Sequence, residues 1–519
     1  MTLKVNAKTL KSWLSDKDEI AFIDVREIGQ HTKGHPFFSI SIPYSLLELN
    51  LEILVPNKKT RVILIDNNDG ISILAYKAAT LMGYINLFIL EDGVSGWINA
   101  GYKLFDGINV PSKSFGELIE KHFHTPSITA KELDKKQKNN ENCIVIDGRP
   151  FDEYQKMSIP NSICCPNGEL AYRVSSYVKD INTEIIINCA GRTRSIIGAQ
   201  TLIDLGISNK VKALENGTQG WFLSDLCLDH NKNSFLDVRP NDTELKKLQN
   251  KIFKSLINHK INLIDFSKAQ ELLLDKNKST FIFNVTNSNK NMSSIRHVPG
   301  GQLVQATDKY IGVLNATLIL IDDGDLIRAG TTAIWLKKMG YQVHVLRKET
   351  VNTNKLKLKK QLPLKEQKLN VFEIEKLTNL KNIVLYDIRS SENFMKKRIK
   401  NSTWLNRANL RKEKIKKHQQ IIIITDKIDK ARLVINDMEE MNLECEISLY
   451  KWKENELINH PNIIDNESIL FSKKDCIDFN FHTHNRHKGN KSHAKQYLKW
   501  EIDLINKMDE QELLFFNIF

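Results

Sequence analysis

No stretch of this 519-residue chain approaches the roughly 18–20 consecutive apolar residues that a membrane-crossing helix needs. The opening Met1-Thr2-Leu3-Lys4 leads into no apolar signal-peptide core, so no membrane partner and a cytoplasmic location are expected. Cysteine is sparse: Cys143, Cys164, Cys165, Cys189, Cys227, Cys445 and Cys476 are too irregular for a disulfide framework. No CxxC pair suggests zinc. The formal charge of +13 comes without an aromatic-interleaved basic motif. It therefore reads as a lysine-rich solvated surface, and no nucleic-acid partner is expected. What is present, 41% hydrophobic and 26% charged residues, describes a soluble globular protein. The length calls for several domains, because single cores rarely grow much beyond ~250 residues.

One segment stands out: Ile185-Ile186-Ile187-Asn188-Cys189-Ala190-Gly191-Arg192-Thr193-Arg194-Ser195. An apolar run reads as a buried strand and delivers a cysteine to its end. Apolar residues at helical spacing begin a few positions later, which puts the thiol at the amide-rich start of a helix. Unpaired N–H groups and the helix dipole favour an anion there. Arg192 and Arg194 add two permanent positive charges, which favour the reactive thiolate and would welcome an anionic substrate. Buried structural cysteines are not usually followed by Gly and paired Arg, so Cys189 is read as a nucleophile.

The chain also repeats itself. Ile23-Asp24-Val25-Arg26 is echoed by Ile146-Asp147-Gly148-Arg149 and by Tyr386-Asp387-Ile388-Arg389, and more weakly by Phe283-Asn284-Val285. Cys189 follows Asp147 by 42 positions, as Asp66 follows Asp24. Cys189, Asp66, Asp323 and Thr425 each precede a closing Gly or Asn by 17 positions (Gly206, Gly83, Gly340, Asn442), with helical spacing between. Units one and two end on Gly93-Val94-Ser95-Gly96-Trp97 and Gly217-Thr218-Gln219-Gly220-Trp221, where the tryptophans look like core anchors. Alternating strands and helices imply an α/β fold with parallel sheets covered by helices on both faces.

Four domains are expected, at 1–110, 125–228, 263–348 and 369–458, with a helical and His-rich tail at 470–519. Residues 107–127 and 349–368 read as linkers, and 236–262 as a linker helix carrying Leu245, Leu248, Ile252 and Leu256. Domains one with two and three with four are the expected pairs, with Cys189 near the first interface.

Asp-x-Arg after a strand, Cys-Ala-Gly-Arg-Thr-Arg-Ser before a helix and a closing Gly-x-x-Gly-Trp resemble the rhodanese-like sulfurtransferases. The arrangement is similar to bacterial chains with four such domains in tandem. The tail, Asn485-Arg486-His487-Lys488-Gly489-Asn490 through Glu501, is similar to the end of those chains. The resemblance implies an active second domain and inactive first, third and fourth domains, since Asp66, Asp323 and Thr425 replace the cysteine. It implies a thiosulfate sulfurtransferase without a cofactor, acting on a small anionic sulfur donor. Cys189 would take its sulfane sulfur as a persulfide and pass it to a thiophilic acceptor, cyanide or a thiol, including a protein thiol. The amides from Ala190 through Gly191, Arg192, Thr193 and Arg194 to Ser195 would cradle the persulfide, and Arg192 and Arg194 would fork onto the donor. Arg194 could instead brace the loop. Arg173 is read either as a residue at the rim of the site or as a surface charge.

Other features are weighed against this reading. Asp147 with Arg149 is taken first as a loop brace. Cys164 and Cys165 are small residues packed beside the site, or one of them accepts sulfur from Cys189. His482, His484, His487 and His493 match no metal-site spacing, and no metal is expected. A dual-specificity-type phosphatase needs five residues between Cys and Arg, whereas four separate Cys189 from Arg194. A persulfide relay or binding platform without independent turnover is the remaining alternative.

Overall fold

The computed structural model describes residues 2–287, 295–347, 356, 370–371, 383–416, 418–465, 476–479 and 490–518. The expected linker 349–368, apart from Leu356, lies outside the described residues, as do His482, His484, His487 and the tail motif 485–489.

Apolar β-branched runs make the central strands. In the second repeat Cys143–Asp147 and Glu184–Asn188 lie side by side, with Val211–Leu214 beyond them. The short strands Ser127–Ile128 and Ser162–Cys164 close the two edges, and all five run parallel. Ile185, Ile186 and Ile187 are fully buried, as expected of a strand covered on both faces. Parallel strands need crossover connections, and the helices Asn167–Tyr177 and Thr193–Asp204 supply them here.

The same five-strand order recurs three more times. One sheet is built around Ile20–Asp24 and Arg61–Ile65, another around Thr280–Asn284 and Thr317–Ile321, and the last around Ile383–Asp387 and Gln420–Thr425. Three of the four share a brace at the end of their second strand. Arg26, Arg149 and Arg389 each fork onto the aspartate two residues back and donate to a carbonyl eight residues on, that of Gly34, Met157 or Lys397. Trp97 and Trp221 are buried and donate in the same way, to the carbonyls of Lys103 and Cys227. Among the described residues no helix is long and apolar enough to cross a membrane.

The chain divides into two compact units. One comprises Met1–Ser12, Ala21–Gly107 and Lys360–Thr483; the other comprises Trp13–Ile20, Ile108–Lys359 and His484–Phe519. The first sheet therefore shares a unit with the fourth and the second with the third, which corrects the expected pairing. Buried, multidentate ion pairs explain the partnership. In the first unit Arg407 forks onto Glu48 (2.6 and 2.8 Å) and onto Asp437 (2.9 and 2.8 Å), and Tyr44 donates to Asp437. In the second, Arg328 forks onto Glu169 at 2.7 and 3.1 Å and lies over the Tyr172 ring.

Two connections differ from a plain linker. Asp242–Asn258 is a helix with Asn241 as its cap, and it buries Leu248, Ile252 and Leu256, while Leu245 is half-buried. Residues 107–127, expected as a linker, instead contain the helix Val110–Phe123. Pro111 stands at its start, where a missing N–H costs nothing, and Val110, Phe115 and Ile119 are fully buried.

Candidate active site

Cys189 follows directly on the strand Glu184–Asn188, and the helix Thr193–Asp204 starts four residues later. The side chain is only 1% exposed, and its Sγ lies 3.6 Å from the Ser195 hydroxyl. The backbone N–H groups of Ala190, Gly191 and Arg192 donate to no atom among the described residues. Gly191 is buried and Ala190 and Arg192 are half-buried, and three unpaired N–H groups on one short loop suit an anion. The helix Gly217–Leu223 locks this loop from behind: Thr218 N–H donates to the Cys189 carbonyl and Gln219 N–H to that of Ala190. Gly217 has φ +51°, and a Cβ there would fall 2.1 Å from the Cys189 carbonyl oxygen. No side chain fits at that approach.

The two arginines of the loop part company. Arg194 lines the cavity in front of Cys189 and forks onto Glu153 at 3.0 and 2.9 Å. Burial opposes its charge, but Glu153 and Cys189 more than offset this and hold the guanidinium protonated. Arg192 is not among the residues lining the cavity. Its guanidinium forks onto Glu117 at 2.7 and 2.9 Å and also meets Glu120, both on the helix Val110–Phe123. Gly116 of that helix faces Thr193, where a Cβ would lie 2.8 Å from Thr193 Cγ2, so a glycine is what lets the helix approach the loop.

The cavity measures about 340 Å³, and Ala190, Gly191, Thr193 and Gln219 join Cys189 and Arg194 in lining it. Distant segments complete the walls: Lys113 from the helix Val110–Phe123, Gln305 beside the third sheet, and Tyr497 from the helix Lys491–Lys507. Glu501 of the helix Lys491–Lys507 is fully buried. Its Oε1 accepts from Thr193 Oγ1 at 2.7 Å, from Thr193 N–H at 3.4 Å and from Lys113 Nζ at 2.9 Å. Burial pushes this carboxyl up, but Lys113 and the Thr193 hydroxyl outweigh it and leave it below its ordinary range. Lys156, at the cavity and exposed, has no ion-pair partner among the described residues.

Other singled-out residues lie elsewhere. Arg173 does not line the cavity; it pairs with Glu169 at 2.7 Å and Asp237 at 2.8 Å. The two carboxylates draw it away from the rim. Arg149 does line the cavity, but Asp147 holds its guanidinium as a brace. Cys165 is packed in the hydrophobic core of this repeat, and Cys164 is buried with its Sγ 3.5 Å from the Arg149 carbonyl. Burial pushes both thiols well up, which keeps them protonated and poor sulfur acceptors. Of the four tail histidines only His493 is among the described residues.

In the other repeats the cradle is filled from within. The residue that follows the carbonyl accepting from Val25, Gly148, Val285 or Ile388 N–H is Asp66, Cys189, Asp322 or Thr425 respectively. The position in the third repeat is thus Asp322, one residue before the expected Asp323. Two consecutive aspartates hide a shift of one residue from any count of intervals. Asp66 accepts from the N–H groups of Asn68 and Ser72, each at 2.9 Å. Asp322 accepts from Gly324, Leu326 and Ala329, and Thr425 from Lys427. Each replacement side chain occupies its own loop amides, where the second repeat leaves them vacant.

The family model for the rhodanese-like domain matches residues 6–100 and 129–224. Two stretches of the chain are rhodanese-like domains. The second rhodanese-like stretch contains the whole Cys189 loop. The structure is also similar, with a TM-score of 0.90 and 28% identity, to a crystal structure of thiosulfate sulfurtransferase from Pseudomonas aeruginosa. That match covers 100% of this chain and 99% of the other. Among curated proteins, the uncharacterized protein YibN of Escherichia coli strain K12 is 27% identical over 106 residues, covering 20% of this chain and 74% of its own.

Sequence reasoning missed Glu117, Glu153, Gln219, Gln305, Tyr497 and Glu501. For Glu117 the signal was there to find, in Pro111 at a helix start. Glu501 and Tyr497 lie some 300 residues from Cys189 in the chain, and no local pattern joins them.

Proposed function

We propose that this chain is a sulfurtransferase of the thiosulfate type, working through a persulfide on Cys189. The observation that carries the reading is the thiol beside three vacant loop amides and the Arg194 guanidinium, at the end of a parallel strand. The similarity to a thiosulfate sulfurtransferase along the whole chain adds support.

The Cys189 thiolate attacks the outer sulfur of thiosulfate. An S–S bond forms to Cys189, the S–S bond of the donor breaks, and sulfite leaves with the electron pair. The vacant amides of Ala190 to Arg192 hold the negative persulfide, as an oxyanion hole would. Arg194 and exposed Lys156 meet the sulfonate oxygens. An acceptor then attacks the outer sulfur and Cys189 leaves again as thiolate, so the kinetics are ping-pong. Arg192, engaged by Glu117 and Glu120, positions the loop, and Arg173 has no part in the step.

On the same reading the chain carries four domains, at 1–110, 125–228, 263–348 and 369–458, of which the second is active. Asp66, Asp322 and Thr425 fill the cradles of the others. The protein works in the cytoplasm.

The test offers thiosulfate with cyanide in one assay and an aryl phosphate in another. Catalytic thiocyanate without phosphate release is expected. A single loading without turnover would make the chain a relay, and phosphate release without thiocyanate would make it a phosphatase.

A further inference from the structure

The helix Lys491–Lys507 meets the Cys189 loop with a charge on its apolar face. Its buried residues are Ala494, Leu498, Glu501 and Leu504, which form one stripe at helical spacing. A leucine at 501 would continue that stripe. A carboxylate there gives up its hydration, a cost that only close, well-placed donors offset. Glu501 collects those donors on one oxygen: Oε1 accepts from Thr193 Oγ1 at 2.7 Å, from Thr193 N–H at 3.4 Å and from Lys113 Nζ at 2.9 Å. Its Oε2 has no hydrogen-bond partner among the described residues and lies 3.2 Å from where a Cβ on Gly191 would be. The missing side chain at Gly191 leaves the room in which the carboxylate approaches the loop.

Thr193 follows the vacant amides directly and opens the helix Thr193–Asp204. At the other end of the loop, the N–H groups of Thr218 and Gln219 hold the Cys189 and Ala190 carbonyls. The loop is thus clamped at both ends, with the amides of Ala190, Gly191 and Arg192 between the clamps. Because Glu501 takes the Thr193 N–H, the run of vacant donors ends at Arg192. One clamp belongs to the same repeat as Cys189, whereas the other comes from a residue 308 positions beyond Thr193. Donors aimed in advance at a developing charge lower a barrier, because they need not reorganise during the reaction.

We propose that Glu501 is a positioning residue for the Cys189 loop: through Thr193 it fixes the amide cradle in the orientation that receives negative charge. This role rests on the sulfur-transfer reading of Cys189. Glu501 is not among the residues lining the cavity, whereas Thr193 is, so the carboxylate acts through Thr193 and not on the donor. Lys113 balances its charge, so the clamp holds the loop without leaving a bare anion behind the cradle.

The test compares the full chain with Thr193→Val, Thr193→Ser, Glu501→Gln and the double variant Thr193→Val with Glu501→Gln. Valine keeps the Cγ2 methyl that faces Gly116 and loses only the hydroxyl. Single-turnover loading of Cys189 is followed by mass spectrometry against thiosulfate concentration. Thr193→Val and Glu501→Gln should each slow the saturating rate about tenfold and move the half-saturating concentration by less than about twofold. Thr193→Ser should recover most of the loss. The double variant should be no slower than the poorer single one, since both remove the same contact. A rise in half-saturation at an unchanged saturating rate would overturn the positioning role and move Glu501, through Lys113, to donor binding. Additive losses, or folded variants that load at the normal rate, would overturn it as well. Alkylation of Cys189 by iodoacetamide reads the cradle without sulfur transfer: Thr193→Val should slow it and Thr193→Ser restore it, and indifference to Thr193→Val would overturn the role. If thiosulfate never loads the unaltered chain while alkylation still responds to Thr193→Val, the sulfur-transfer reading fails and the positioning role stands.

Discussion

Arg192 and Glu117 form a forked pair, Nε to Oε1 at 2.7 Å and Nη2 to Oε2 at 2.9 Å. Their side chains are 10% and 4% exposed, so neither charge is left to water. The pair ties the Cys189 loop to the helix Val110–Phe123.

Breaking such a pair leaves a carboxylate buried and uncompensated. Arg192→Ala should cost about 3–5 kcal/mol of unfolding free energy in urea titrations. In the folded fraction the KM for thiosulfate should move by less than about twofold. A large rise in KM without loss of stability would return Arg192 to the donor.

Arg194 is expected to behave in the opposite way. Arg194→Gln should lower kcat/KM for thiosulfate by about 10²–10³, the usual effect of losing one donor to a developing anion. Steady-state thiocyanate assays read this directly. A loss confined to stability would make Arg194 a brace paired with Glu153.

The pH dependence of stability carries the mark of Glu501. Its carboxyl lies below the ordinary 4.5 because Lys113 and Thr193 outweigh the effect of burial. A carboxyl depressed by folding contributes stability that is whole above its unfolded value. That contribution is lost as pH falls through the lower, folded value. Urea midpoints should therefore fall on moving from pH 7 to below 4.5, and Glu501→Gln should be weaker at pH 7 with a flatter acid limb. Parallel curves for the two proteins would contradict the role given to Glu501.

The third repeat offers a test of register. Asp322 holds three backbone N–H groups, at 2.9, 3.3 and 3.0 Å. Hydrogen bonds to a charged group contribute about 1.5–3 kcal/mol each, so Asp322→Ala should cost several kcal/mol. The neighbouring Asp323→Ala should cost clearly less. The reverse order would restore Asp323 to the position of the nucleophile.

The repeat, the parallel sheets and the Cys189 loop were legible because they rest on local pattern: β-branched runs, a cysteine at a strand end, Gly and Trp at fixed offsets. The same locality limited the reading of Arg192, since a positive charge beside a thiol looks alike whether it faces substrate or a glutamate 75 residues back. The pairing of the first sheet with the fourth depends on Arg407 meeting Glu48 across 359 positions, which no spacing rule reveals. Gln219 stood within a noticed motif, Gly-Thr-Gln-Gly-Trp, but neither end of its side-chain amide has a partner among the described residues. Only the packed structure exposes that.

Mass spectrometry of the intact chain after brief exposure to thiosulfate tests the central claim most directly. One added sulfur atom is expected, mapped to the peptide holding Cys189 and released as thiocyanate by cyanide. An unmodified Cys189 peptide, or the same gain in a Cys189→Ser chain, would contradict it.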